Sequence, residues 1–185
     1  LRLSRDTEPD LISAGALPSL KRHLRITGDY ADQDVHEIAK MALRHIEEKA
    51  RITTLTSTYT LQLDVLPECF NLPYPPLVSV TSIQYQDADN VQQTWNSNQY
   101  EVLTKDQPGK VRALYGVTMP DMYRSPGVEV VYTAGYGTGW DDLPDLVKHA
   151  TKLVTHHYFY NRDGSPPMAA IEDIVMQLNA GDEFG

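Results

Sequence analysis

Three prolines, Pro73, Pro75 and Pro76, stand directly before a run of alternating apolar residues, and this junction constrains the fold more than any other segment. Each proline fixes its own φ and biases the preceding residue toward extended geometry, so residues 72–76 are expected to run as a polyproline-like lead-in. Val78 and Val80 then fall on one parity, while Ile83 and Tyr85 fall on the other. That phase change predicts a β-bulge near Thr81 and Ser82. Asp87, Asp89 and Asn90 supply turn chemistry after the strand.

The flanking segments carry a different period. Val35, Ile38, Ala39, Ala42, Ile46 and Ala50 recur at helical spacing behind Asp32 and Asp34, whose charges suit a helix N-terminus, predicting a helix over 32–51. Ser19 is expected to cap a shorter helix over 19–25. Asp142 and Pro144 suit the start of a helix over 144–161, with Leu146, Val147, Ala150, Leu153, Val154, His157 and Tyr158 as its apolar stripe. Between them, Tyr59, Leu61 and Leu63 alternate with polar neighbours, and further strands are expected at 100–103, 111–114 and 128–133. The resulting expectation is an α+β fold: a small helical bundle with an antiparallel β region, 55–135, inserted between the second and third helices. Residues 1–17 read as an arm. Beyond a Gly-Ser-Pro-Pro hinge in 163–185, a tail helix carries Met168, Ile171, Ile174, Val175 and Leu178, the last four at i, i+3, i+4 and i+7.

Composition bounds function by exclusion. No apolar run approaches membrane-spanning length, and the amino end lacks the apolar segment of a secretion signal. Cys69 is the only cysteine, so an internal disulfide and a cysteine-based zinc site are excluded, and a reducing compartment is expected. The net charge is −9, with the excess acid in residues 52–185. Gripping DNA needs a basic face, whereas an acidic surface suits a channel through which DNA slides.

No catalytic, metal or cofactor set assembles. The glycines Gly135, Gly137 and Gly139 run as GxGxG without a following Lys-Ser/Thr, and Asp141, Asp142 and Asp145 stand where a phosphate needs a positive helix end. His149 and His156 are spaced too widely for chelation from one helix, so His149, His156 and His157 are read as packing or subunit-contact groups. Cys69 follows Glu68 and is expected to be a small buried hydrophobe. Asp87 and Asp89 are explained by turn chemistry rather than calcium. Eleven tyrosines against three phenylalanines suggest surfaces that become buried on assembly.

Four passages together resemble the head-tail connector, or adaptor, proteins of tailed bacteriophages. They are Leu72-Pro73-Tyr74-Pro75-Pro76 with its strand; Leu20-Lys21-Arg22-His23-Leu24-Arg25-Ile26 with Asp29, Asp32 and Asp34; Val128 through the Ala134-Gly135-Tyr136-Gly137 exit; and Leu143-Pro144-Asp145-Leu146 through Tyr160-Asn161-Arg162. The resemblance implies an adaptor domain over 18–162 in a non-enzymatic virion protein at the head-tail interface, present in host cytoplasm during assembly. It implies a homo-oligomeric ring, about dodecameric, beneath a portal ring, with a stopper or tail-completion protein as its other neighbour. Double-stranded DNA would pass through without sequence-specific binding.

Roles are assigned by segment. Portal docking is expected of Met168, Ile171, Ile174, Val175 and Leu178, because helix-in-groove binding needs such a stripe. Bundle and subunit contacts are expected of Val35, Ile38, Ala42, Ile46, Leu146, Ala150, Leu153, His157 and Tyr158. Loops bearing Asn90, Trp95, Tyr115 and Tyr123 are expected to reach the next neck protein or outward. The rival readings are a stopper or tail-completion protein, and a small-molecule-binding or metal-dependent hydrolytic α+β domain using the histidines.

Overall fold

Alternation and helical spacing sort the chain into two units, one from Leu1–Glu8 and Thr56–Gly135, the other from Pro9–Leu55 and Tyr136–Gly185. The computed structural model describes residues 2–7, 9–11, 14–122, 127–161 and 172. The fold is α+β, with helices and antiparallel sheets. The tail stripe from Met168 to Leu178, and Tyr123, lie outside the described residues.

The β unit contains β1 (Arg2–Arg5), β2 (Ser57–Leu63), β3 (Cys69–Asn71), β4 (Leu77–Gln86), β5 (Gln92–Thr94), β6 (Tyr100–Leu103), β7 (Lys110–Ala113) and β8 (Val128–Ala134). They form a five-stranded sheet ordered β1-β2-β8-β4-β5 and a three-stranded sheet ordered β3-β7-β6. Tyr59, Leu61 and Leu63 of β2 and Val128, Val130 and Tyr132 of β8 turn inward on every second residue, as the pleat requires. They share one core with Ile83, Trp95, Phe70 and Val111, so both sheets close over the same apolar interior.

The phase change in β4 is real and doubled. Its pairing with β8 slips between Leu77 and Ser79 and again between Val80 and Ser82. Leu77 points inward, Val80 packs against the core after the first slip, and Ile83 returns inward after the second. Val78, at the first slip, is left exposed.

Two expectations for this unit fail. The lead-in at 72–76 bends instead of extending, with Tyr74 in the left-handed region at φ 62°. Aromatic packing holds the bend: the Tyr74 ring stacks on Tyr59 at 5.8 Å, Tyr59 stacks on Tyr132 at 5.4 Å, and the Tyr132 hydroxyl donates to the Pro73 carbonyl at 2.8 Å. Side-chain burial thus overrides the local preference for extension. Residues 2–5, expected within an arm, form β1 and pair with β2 from Arg2↔Gln62 to Arg5↔Tyr59. The Thr60 hydroxyl donates to Asp6 at 2.6 Å, and the Thr58 amide donates to the Thr7 hydroxyl at 2.8 Å, extending that tie.

The helical unit holds α1 (Leu17–Leu24), α2 (Asp32–Ala50) and α3 (Asp145–Tyr160). α1 begins before Ser19, with a proline in its first turn and no side-chain cap, so Ser19 is inside the helix. α2 starts with Asp32 and Asp34 in its first turn, as expected, and ends on Arg51 at φ 53°. Lys21 of α1 ion-pairs with Asp32 at 2.6 Å and Asp29 at 3.0 Å, and these bonds raise its pKa. Leu20, Leu24, Val35, Ala39, Leu43, Leu55, Trp140, Leu143 and Val147 form the main core. Ala42 and Ile46 of α2 meet Ala150 and Val154 of α3 in a second, smaller cluster.

The corner after α2 is built on a buried carboxylate. Glu47 is 5% exposed, and its Oε1 accepts the Thr54 amide at 2.9 Å and the Thr54 hydroxyl at 2.6 Å. The Tyr136 amide donates to the Thr54 carbonyl at 2.9 Å, and Leu55 bridges Gly137 in parallel. Two of the three chain passages between the units, after Leu55 and before Tyr136, therefore leave from one bridged pair.

Candidate assembly surfaces

The groups that most resembled chemistry in the sequence are occupied by structure. The Asp87 carboxylate accepts the Val91 amide at 2.9 Å, the Asp89 amide at 3.1 Å and the Gln93 side chain at 2.9 Å. The Val91 bond leads in holding its pKa below the usual carboxylate range. Asn90 takes the left-handed position of that turn at φ 62°.

In the glycine segment, Asp142 does not cap α3. Its carboxylate accepts the Gly139 amide at 2.9 Å, because Leu143 and Pro144 run extended between it and the helix. A Cβ on Gly137 would collide with the Asp142 side chain, so glycine is needed there for close approach. A carboxylate thus sits where a phosphate-binding loop would present its amide.

Cys69 is exposed, correcting the buried reading. β3 is a sheet edge and Phe70 takes its inward position, which leaves Cys69 and Asn71 outward. His149 and His156 are also exposed, while His157 is half-buried with its ring 6.0 Å from that of Tyr158. Among the described residues, no three His, Cys, Asp or Glu side chains group closely enough to hold a metal. No helix among them is long and apolar enough to cross a membrane.

The residues assigned to contacts separate by depth. Val35, Ala42, Ile46 and Ala150 are buried within the chain, so they build its own bundle and offer nothing to a neighbour. Leu146, Leu153 and Tyr158 are half-buried at the rim of the small α2–α3 cluster, and Ile38 is half-buried on α2. An open groove of about 650 Å³ runs beside them, where Ile38, Met41 and Tyr158 lie among Asp34, His36, Glu37, Lys40 and Arg44. Met41 is 55% exposed and was not singled out from the sequence. Its position three residues beyond Ile38 was the available signal, since these two share a helix face.

In the β unit, Asn90 and Tyr115 are exposed, as a contact role requires, and Leu114 beside Tyr115 adds to that surface. Trp95 is not a surface group: it is 3% exposed, packs 4.8 Å from the Tyr100 ring, and donates its amide to the Ile83 carbonyl at 2.8 Å. A residue with so large an apolar area gains more from the core than from a loop. Tyr30 is 84% exposed in the helical unit and was likewise missed.

No family model matches the sequence, and no curated protein matches it. Solved structures do. A chain in the neck of an empty gene transfer agent (GTA) particle, computed with C6 symmetry, matches with a TM-score of 0.77 at 24% identity, over 94% of this chain and 95% of that one. A chain in the virion of a native GTA particle matches with a TM-score of 0.79 at 22% identity, over 96% and 95%. A third, in the neck of a native GTA particle computed with C12 symmetry, gives 0.73 at 24% identity, over 94% of each chain. The resemblance to phage neck proteins is borne out at the level of fold: nearly the whole chain has the fold of chains solved in the necks and virions of gene transfer agent particles.

Proposed function

We propose that this protein is a structural subunit of a phage-type neck: a ring-former that docks beneath a portal, extends the DNA channel after packaging and presents a platform for a stopper or tail protein. The observation that carries this reading is the fold likeness, which spans at least 94% of both chains in each comparison. Two of those particles are described with six- or twelve-fold symmetry, which supports a ring here. The chemistry of the surfaces agrees with a docking role, since exposed Met41 and half-buried Ile38 and Tyr158 are rimmed by charges of both signs.

In this reading, Ile38, Met41, Leu146, Leu153 and Tyr158 contact the neighbouring subunit. Asn90, Leu114 and Tyr115 face the next neck protein or outward. The sequence stripe Ile171, Ile174, Val175 and Leu178, with Met168, docks on the portal, and many weak contacts repeated around the ring supply the avidity. No covalent step is involved.

Co-sedimentation with the portal encoded in the same genome tests this, using the full chain and a truncation ending at Gly164. Saturable binding by the full chain and its loss in the truncation is the expected result. Absence of binding by either form overturns the portal assignment, and binding to an isolated adaptor ring instead would assign the stopper role.

A further inference from the structure

Four side chains able to carry positive charge meet on one side of the helical unit. His149, Lys152 and His156 recur at i, i+3 and i+7 on α3 and so share a helix face about 10 Å long. His23 of α1 joins them, its ring 5.7 Å from that of His156. The same end of α3 is fixed to α1, because Tyr160 packs 4.8 Å from His156 and its hydroxyl donates to the Leu24 carbonyl at 2.8 Å.

Among the described residues the cluster lacks internal compensation. The groups acting on His23 from α3 are His156, Lys152 and His149, all of one sign, and with burial as the largest cause they hold its pKa below the usual histidine range. On the α2 side, Asp32 and the preceding Asp29 are engaged by Lys21. Lys148, one turn before Lys152, has Asp145 at 3.4 Å and the Asp141 carbonyl at 2.9 Å. Lys152, His149 and His156 have no ion pair with any described carboxylate. A chain of net charge −9 has acids to spare, so a cationic face without one is suited to an anion supplied from outside.

We infer that the face formed by His23, His149, Lys152 and His156 is a pH-graded contact for the phosphates of duplex DNA, an assignment that rests on the neck reading above. The straight array of cations fits a linear polyanion. An acidic protein partner is less well served, because among the described residues the exposed large apolar group beside this face is Tyr160 alone. At alkaline pH the face carries least charge, which gives the weak, sequence-independent grip that lets DNA slide. Acidification adds positive charge to histidine side chains, so DNA binding tightens and takes up protons as pH falls.

Fluorescence anisotropy of a labelled 20-base-pair duplex, across salt at pH 8.0, 6.5 and 5.5, tests this on the full chain. Circular dichroism at each pH confirms the fold. The slope of log K against log salt should steepen between pH 8.0 and pH 5.5, by roughly −0.9 for each further phosphate neutralised. The triple variant His149→Gln, Lys152→Gln, His156→Gln should lose at least about 10-fold in affinity at pH 5.5 and flatten the pH dependence. A pH-independent slope, or unchanged binding by the triple variant, overturns the inference. So does polyglutamate competing as strongly as an equal charge of DNA, which would assign the face to an acidic protein. Portal co-sedimentation by the parent chain separates the two readings: if it binds the portal while DNA binding is absent, only the present inference fails.

Discussion

Glu47→Ala should destabilise the helical unit by about 3–5 kcal/mol, since it removes two hydrogen bonds to a charged acceptor and leaves two buried donors without partners. Glu47 is 5% exposed, and Thr54, which gives both its amide (2.9 Å) and its hydroxyl (2.6 Å) to Oε1, is 0% exposed. Charge-assisted bonds of this kind contribute about 1.5–3 kcal/mol each, and an orphaned buried donor costs about 1–3 kcal/mol; the two overlap, so the sum is taken below their total. Glu47→Gln keeps an acceptor and loses the charge, so its cost should be nearer about 1 kcal/mol. Thr54→Val removes the hydroxyl alone, and the cycle of Glu47→Ala with Thr54→Val should return a coupling of about 1–2 kcal/mol. Urea unfolding followed by far-UV circular dichroism measures all four species. Native-state hydrogen exchange should show the Thr54 amide released in Glu47→Ala, and the Tyr136 amide loosened with it, because Tyr136 bonds the Thr54 carbonyl. A loss under about 0.5 kcal/mol for Glu47→Ala would refute the view that this carboxylate holds the corner, because no account of the geometry makes two orphaned donors free.

Gly137→Ala places a methyl against the Asp142 side chain and should cost about 1–3 kcal/mol by thermal melting; adding Asp142→Gly should recover part of that loss, and no recovery would discard the proposed clash. Tyr132→Phe removes the donor to the Pro73 carbonyl and should cost about 1 kcal/mol in urea unfolding, with the Tyr74 stack weakened. Burial, with Tyr59 and Tyr74 beside it, holds the Tyr132 phenol far above its ordinary range, so spectrophotometric titration should leave one tyrosine un-ionised until the protein unfolds in alkali. Because that folded pKa is raised, the associated stability is present below about pH 10 and is lost as pH rises beyond it. His23 has a lowered folded pKa, so its contribution is present above its unfolded pKa near about 6.5 and is lost as pH falls. The melting temperature should drop from pH 7.5 to 5.5 in the parent and drop less in His23→Gln; equal drops would exclude His23 as the source.

The long periodic elements were legible from residue order alone. α2 lies where Val35, Ala39, Ala42, Ile46 and Ala50 put it, and β2 and β8 follow their alternation, because these periods are local and survive any choice of partner. The parity shift in β4 near Thr81 was legible for the same reason, although the earlier slip at Val78 was not. The remaining features depend on contacts between distant segments. β1, β3 and β5 are three or four residues long, too short to show a period, and they exist because a distant strand pairs with them. The bend at Tyr74 depends on Tyr59 and Tyr132, far away in the chain, and Trp95 is buried because the β core has room for it. Asp142 serves Gly139 instead of α3 because the backbone at Leu143 and Pro144 extends, which no cap motif records. For the surfaces, the sequence gives the apolar stripes but not their depth: Ala42 and Tyr158 read alike on a helical wheel. Which is interior and which remains available to a neighbour is set by how α2 and α3 cross.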